Sequence, residues 1–124
     1  MVENNKKGLR RIGAATRYSC KGVKAAWTFE PAFRQEIILL VVMTPFALWL
    51  ANGFAEFFIL VGAVVLVVVA ELLNSAIETI TDRISIEHHY LSGRAKDLGS
   101  AAVFIAILQM LLIWIIKICM LFMS

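Results

Sequence analysis

The sequence lacks the glycine-rich signatures of the common nucleotide-binding folds. Its 124 residues contain neither the GxxxxGK[ST] pattern of P-loop enzymes nor a GxGxxG loop. Cysteine is also scarce, because only Cys20 and Cys119 are present, near opposite ends of the chain and without the spacing of a metal site. We expect both cysteines to be packing residues. If the chain binds a nucleotide, it therefore uses neither a P-loop nor a soluble kinase fold.

Apolar residues dominate the composition. They make up 60% of the chain, and the mean hydropathy is +0.82, whereas a soluble domain contains about 45–50% apolar residues. These values indicate an integral membrane protein, and the length allows one domain over residues 1–124. Three spans of about 20 residues use half of that length. Because three helices cannot enclose a sizeable polar site, we expect the chain to form an oligomer.

The pattern of apolar and polar residues predicts an all-α protein with four helices. Residues 8–29 form an amphipathic helix with one basic face, which is typical of a helix lying in the membrane interface. Three membrane-spanning helices are predicted over residues 32–51, 54–84 and 93–122. The second span is longer than a bilayer is thick, so its C-terminal end is expected to project past the membrane.

Basic residues are unevenly distributed. Eight of the twelve Lys and Arg residues lie in the first 34 positions, and three more lie around the link between the second and third spans. A basic segment that precedes a membrane span favours anionic lipid headgroups as its partner, rather than nucleic acid. The positive-inside bias predicts that the N-terminus and this link face the cytoplasm, and that the C-terminus lies on the other side.

A stripe of polar residues marks the C-terminal half of the second predicted span. Glu71, Asn74, Glu78 and Asp82 are spaced i, i+3, i+7 and i+11, which places them on one helix face. Ionisable groups on a membrane helix are costly and usually face a protein interior or a wet cavity. Glu71 and Glu78 are about 10.5 Å apart along the axis. The stripe therefore predicts chemistry between a lipid and a soluble molecule; an inter-helix network that sets oligomer register is the alternative.

The segment SGRAKDLGSAA begins the third predicted span with several charged residues. Arg94 and Lys96 can clamp phosphate groups there, and Asp97 can orient Lys96. The alternative is that these basic side chains merely extend toward water at a helix end. The phosphate-binding interpretation is weak by itself and is strengthened because the predicted depth of these residues matches that of Glu78.

Two further motifs lie at the same predicted depth. Glu30, at the break before the first span, can share a divalent cation with Glu78, since Mg²⁺ commonly takes one or two carboxylates plus phosphate oxygens. The alternative for Glu30 is an acid that interacts with the helix dipole. His88 and His89 in EHHY have no third ligand spaced for zinc, so contact with a nucleotide base is a better interpretation than metal binding. The alternative is a pair of loop histidines that are simply solvated.

Three segments carry a resemblance to a known family: AAWTFEPAFRQE, ELLNSAIETITDRIS and EHHYLSGRAKDLGSAAV. Over residues 9–115 the chain resembles the small bacterial membrane diacylglycerol kinases. The resemblance implies a homotrimer of three-span subunits in the bacterial inner membrane, with a periplasmic C-terminus. It also implies phosphorylation of diacylglycerol to phosphatidic acid with ATP and Mg²⁺. We expect shared active sites, in which Glu71 faces a neighbour's surface helix or first span.

The resemblance also implies roles for individual residues. The general base falls on Glu71, with Asn74 in the same catalytic stripe, and the Mg²⁺ ligands fall on Glu30 and Glu78. The residues implied to contact the nucleotide are Arg11, Tyr18, Glu87, His88, His89, Lys96 and Asp97. Those implied to contact the lipid are Arg11, Ser19, Trp27, Arg34, Gln35, Glu36, Trp49, Glu71, Ser100 and Trp114. The chain departs from the family's pattern at Arg17, Cys20, Phe29, Pro31 and Pro45.

Two other functions fit the same residues. A kinase for a polyprenol such as undecaprenol would use the same site, since the site could phosphorylate any membrane alcohol. Glu30 and the SGRAKDLGSAA segment favour diacylglycerol, again by resemblance. A small oligomeric channel or proton pathway would use Glu71 and Glu78 without any reaction. The basic surface helix and the charged EHHY–SGRAKD region would add nothing to conduction, so we rank this function third.

Overall fold

The computed structural model describes residues 4–84, 87 and 89–124, with side chains from residue 7 onward. It contains four helices in the described residues: α1 (Asn4–Phe29), α2 (Pro31–Leu50), α3 (Phe54–Ile84) and α4 (Tyr90–Met123). The predicted all-α class is confirmed, and α2, α3 and α4 are each long and apolar enough to cross a membrane. The first helix begins four residues before its predicted start, and α4 begins three residues before its own predicted start.

The junction between α1 and α2 depends on three neighbouring residues. Pro31 is the first residue of α2, where its missing N–H costs nothing, and Glu30 before it has an extended backbone at φ −116° and ψ 99°. Arg34 Nη1 donates hydrogen bonds to the carbonyls of Trp27 at 2.7 Å and Thr28 at 3.2 Å. The Arg34 guanidinium therefore satisfies carbonyls at the C-terminal end of α1, which would otherwise lack donors.

The centre of the molecule is α3, which packs against both α2 and α4. A cluster of buried side chains joins the three helices: Ala47, Leu50, Leu60, Ala63, Val64 and Trp114. Two side chains of α4 also donate hydrogen bonds to carbonyls of α3, Trp114 Nε1 to Leu60 at 3.0 Å and Gln109 Nε2 to Ala63 at 2.8 Å. Polar contacts of this kind hold helices together where lipid gives no hydrophobic driving force.

Both cysteines lie on the surface of the chain. Cys20 on α1 and Cys119 on α4 are exposed, so the expectation that they are packing residues is wrong for the single chain. The physical reason is the arrangement of the helices, because α1 and α4 each bury only a narrow strip against their neighbours. Many large apolar side chains are exposed for the same reason, which is expected where lipid or another copy of the chain covers them.

An ion pair joins α3 and α4 at the end of the molecule remote from the polar stripe. Lys117 Nζ lies 2.5 Å from Glu56 Oε1, with side-chain exposures of 14% and 41%. The same Glu56 oxygen accepts a hydrogen bond from the Asn52 backbone N–H at 3.2 Å. Glu56 therefore fixes both the turn that follows α2 and the position of α4.

Glu56→Gln is expected to lower the melting temperature of the protein in detergent micelles. The change leaves the Lys117 ammonium without a carboxylate in a mostly apolar groove, and an unpaired charge there is worse than none. Lys117→Met should therefore lower the melting temperature less than Glu56→Gln does. The double variant Glu56→Gln with Lys117→Met should regain most of the melting temperature that Glu56→Gln loses. Melting followed by circular dichroism decides this, and equal effects of the two single changes would contradict it.

Candidate active site

The polar stripe on α3 runs from a buried end to an exposed end. Glu71 and Asn74 are each 8% exposed, whereas Glu78 is exposed on the same helix face. The Asn74 Nδ2 amide donates a hydrogen bond to Glu78 Oε1 at 2.9 Å. One carboxylate therefore lies within the packed part of the chain and the other reaches its surface, where Asn74 holds it by a hydrogen bond.

Two further carboxylates approach the stripe from the start of α2. Electrostatic repulsion acts on Glu71 from Glu78 and Glu30, and between Glu36 and Glu71. We call Glu30, Glu36, Glu71 and Glu78 the acidic cluster. Glu36 Oε1 is buried and has no hydrogen-bond partner within the described part of the chain. Carboxylates this close repel one another, and a bound cation offsets that repulsion.

The acidic cluster is assembled within one chain. Phe33 of α2 and Val68 of α3 lie in one buried cluster, so the start of α2 is near Glu71 in the same chain. The short link at residues 51–53 explains this, because it folds α2 back along α3. The start of α2 therefore lies beside the C-terminal half of α3, where the stripe is. The expectation that Glu71 also faces the surface helix or first span of a neighbour stays a prediction.

The carboxylates of the cluster are of the donor type that Mg²⁺ prefers. No group of three or more His, Cys, Asp or Glu side chains is arranged as a metal site in residues 7–84, 87 and 89–124. Mg²⁺ does not need such a group, since it takes one or two carboxylates together with phosphate oxygens and water. Glu30 makes no side-chain capping bond, and Asn74 engages one oxygen of Glu78. Both carboxylates therefore retain oxygens that can bind a metal.

An open groove of about 650 Å³ lies between α1 and α3 next to the acidic cluster. Its walls are mostly small and apolar, and they include two predicted site residues, Ser19 and Glu30. The remaining lining residues are Gly22, Val23, Ala25, Ala26, Phe29, Leu72, Ser75, Ala76 and Thr79. An apolar groove that ends at a few polar groups suits a ligand with an apolar body and a polar head.

Lys96 is held at the start of α4 by a residue other than the predicted one. Its Nζ lies 2.5 Å from Asp82 Oδ1, whereas we expected Asp97 to orient it. Adjacent helical residues diverge by about 100° around the axis, so Asp97 points away from Lys96. Asp82 continues the stripe of α3 toward α4, and its position on that face was the signal that could have identified it.

His89 begins α4 as its N-cap. Its Nδ1 accepts a hydrogen bond from the Leu91 backbone N–H at 3.1 Å, and its ring stacks on Tyr90 with centroids 5.1 Å apart. The Arg94 guanidinium lies over the same Tyr90 ring at 5.8 Å. These contacts fix the His89 ring at the entrance to α4. His88, predicted as a nucleotide contact, lies outside the described residues.

The other predicted contacts are dispersed. Trp114 is buried in the core at 5% exposure, which gives it a packing role. Trp49 is 73% exposed, about 28 Å along α2 from Glu30. The Arg34 guanidinium holds the end of α1. The remaining predicted residues are exposed on α1, α2, α4 and the link before α4: Arg11, Tyr18, Trp27, Gln35, Glu87, Asp97 and Ser100.

Comparison with known proteins adds an independent observation. A sequence profile described as prokaryotic diacylglycerol kinase matches residues 17–118. The chain belongs to this family. The match includes the acidic cluster, the groove and Lys96, whereas Arg11 precedes it.

Three relatives show how far the similarity extends. A diacylglycerol kinase of Escherichia coli K12 is 49% identical over 115 residues, which cover 93% of this chain and 94% of that protein. The diacylglycerol kinase of Haemophilus influenzae is 45% identical over 107 residues, covering 86% and 91%. That of Pseudomonas aeruginosa is 46% identical over 107 residues, covering 86% and 87%. The family resemblance inferred from the three sequence segments is therefore confirmed.

Proposed function

We propose that the chain phosphorylates diacylglycerol to phosphatidic acid with ATP at the cytoplasmic face of a bacterial inner membrane. The relatives named above are diacylglycerol kinases. The observation that carries the proposal is the stripe on α3, where a buried Glu71 and an exposed Glu78 share one face, while Glu30 just before α2 lines an apolar groove between α1 and α3. This arrangement lets a lipid hydroxyl and a water-soluble phosphate donor meet at one site.

Glu71 is the proposed general base. Its carboxylate accepts the proton of the diacylglycerol hydroxyl while the hydroxyl oxygen attacks the γ-phosphorus of ATP. The bond from that phosphorus to the bridging oxygen breaks, and ADP leaves. The products are phosphatidic acid, ADP and one proton on Glu71. The groove between α1 and α3 positions the lipid, so much of the rate gain comes from holding both substrates in line.

Glu30 and Glu78 are the proposed ligands of Mg²⁺, which when bound offsets the negative charge of the transferring phosphates. Asn74 orients Glu78 through the bond to its Oε1. Lys96 adds a positive charge at the same end of the molecule, and Asp82 holds its ammonium in place. We also propose that the His89 ring at the start of α4 contacts the nucleotide.

The site of one chain is open, and a homotrimer is the assembly that we propose to complete it. The groove beside Glu30 is open to the surface, and large apolar side chains cover much of the outer surface of α2, α3 and α4. Closed cyclic symmetry is the usual way for identical chains to cover such faces. In that trimer the surface helix or first span of a neighbour would face Glu71 and supply the missing walls of the site. In this assembly α1 lies in the membrane–water interface, with its basic face toward anionic headgroups.

A lipid-competition assay tests the function. Purified protein in matched micelles is given radiolabelled ATP with a short-chain diacylglycerol or with undecaprenol, and Glu71→Gln protein is the matched control. We expect labelled phosphatidic acid and little undecaprenyl phosphate. A clear preference for undecaprenol would make the chain a polyprenol kinase. Absence of transfer to either alcohol, together with a proton leak in proteoliposomes, would support the channel instead.

A further inference from the structure

Gly99 on α4 lies directly against the Asn74 amide of α3. A carbon added at its Cβ position would overlap Asn74 Oδ1, and would lie 3.3 Å from Asn74 Cγ and 3.4 Å from Ile77 Cδ1. The other six glycines, all of them described, differ in this respect, because an added carbon there meets nothing within 4 Å. The contact between α3 and α4 at this point therefore requires a residue without a side chain.

The Asn74 amide is held from two sides. Its Nδ2 donates to Glu78 Oε1 at 2.9 Å, while its Oδ1 is buried and lacks a conventional hydrogen-bond partner among the residues that the structure describes. In glycine a hydrogen atom takes the direction of the missing Cβ, so a Cα–H of Gly99 points at this oxygen. Cα–H···O contacts recur where helices approach closely, and they offset part of the cost of burying an acceptor.

We propose that Gly99 is a positioning residue that holds Glu78 in its metal-binding orientation by way of Asn74. A side chain at position 99 must displace the Asn74 amide or separate the two helices. Because Asn74 is 8% exposed, the displaced amide has little room to move without losing its bond to Glu78. The exposed Glu78 carboxylate would then be free to adopt other rotamers. This inference rests on the proposed role of Glu78 as a metal ligand.

Gly99→Ala is expected to weaken divalent-cation binding by about 10–100-fold, the range seen when a group that orients a metal ligand is lost. Mn²⁺ serves as the probe because it shares the oxygen ligands of Mg²⁺. Free Mn²⁺ is measured by electron paramagnetic resonance in the presence of a non-hydrolysable ATP analogue, and a protein-free titration is subtracted. Gly93→Ala is the matched control, since it gains the same helix propensity on α4 without an overlap. It should bind Mn²⁺ like the wild type.

A double-substitution cycle separates positioning from general packing. Asn74→Ala alone should weaken Mn²⁺ binding, because Glu78 loses its donor. Adding Gly99→Ala to Asn74→Ala should have little further effect, since the amide that conflicts with the new methyl group is gone. If Gly99 only lets the helices pack, the full penalty of Gly99→Ala would persist in the Asn74→Ala background, and the proposal would be overturned.

Each remaining outcome is also decisive. Wild-type Mn²⁺ affinity in Gly99→Ala, with weakened affinity in Glu78→Gln, would overturn the role of Gly99 and leave the proposed function intact. Equal affinity in wild type and Glu78→Gln would remove the metal role of Glu78, and the assignment of Gly99 with it. If the Gly99→Ala protein does not fold, the double variant Gly99→Ala with Asn74→Ala is tested instead. The proposal is supported if this double variant folds and binds Mn²⁺ with the affinity of Asn74→Ala. Failure of the double variant to fold would contradict it.

Discussion

Glu71→Gln is expected to lower phosphoryl transfer by about 10²–10⁴-fold, the usual contribution of a positioned general base. The substitution keeps the size of the side chain and its place on α3, but the amide cannot accept the proton of the lipid hydroxyl. Glu71 is 8% exposed, so bulk water has little access with which to replace it. The measurement is the initial rate of phosphatidic acid formation by purified protein at saturating ATP and diacylglycerol.

Glu56→Gln is the matched control for this experiment. It makes the same carboxylate-to-amide change on the same helix, but at the end that carries the ion pair with Lys117. We expect Glu56→Gln to melt earlier and to keep its turnover at temperatures where it is folded. Glu71→Gln should show the opposite, with little loss of melting temperature and nearly no turnover. Near-normal turnover in folded Glu71→Gln protein would contradict the assignment of the base.

Glu78→Gln is expected to raise the Mg²⁺ concentration that gives half-maximal activity by about tenfold or more, and Glu30→Gln to act in the same direction. Both carboxylates belong to the acidic cluster, and loss of one charge weakens the attraction to a cation while the size of the side chain is kept. Even groups that only orient a metal ligand contribute about 10–100-fold. Activity is titrated against Mg²⁺ at fixed ATP, and Glu56→Gln again serves as the control.

The Mg²⁺ titrations of Glu78→Gln and Glu30→Gln show whether both carboxylates bind the metal or only one of them does. A shift in Glu78→Gln alone would show that Glu30 is not a ligand, and the dipole interaction would be the better account of Glu30. If neither variant shifts the Mg²⁺ curve relative to wild type, the shared-metal proposal is wrong. A lower maximal rate at every Mg²⁺ concentration, without a shift, would point instead to a role in positioning the substrates.

The class of protein and the stripe of polar residues follow from the amino-acid sequence alone. Runs of apolar residues long enough to cross a bilayer predict membrane helices whatever their neighbours are, because the backbone satisfies its own hydrogen bonds within each helix. The period of 3.6 residues then fixes which residues share a face, so the spacing of Glu71, Asn74 and Glu78 is sufficient to group them. The segments around them were also sufficient to identify the family.

Which helix faces meet could not be predicted in the same way. The helical period does not tell which neighbour a face will contact, because this depends on how helices cross and on which side chains fit between them. The pairing of Lys96 with Asp82 rather than Asp97 follows from the crossing of α3 and α4. The burial of Trp114 and the contact between Gly99 and Asn74 have the same origin. Sequence periodicity thus placed residues on the faces of single helices, and packing between helices determined which of them form the site.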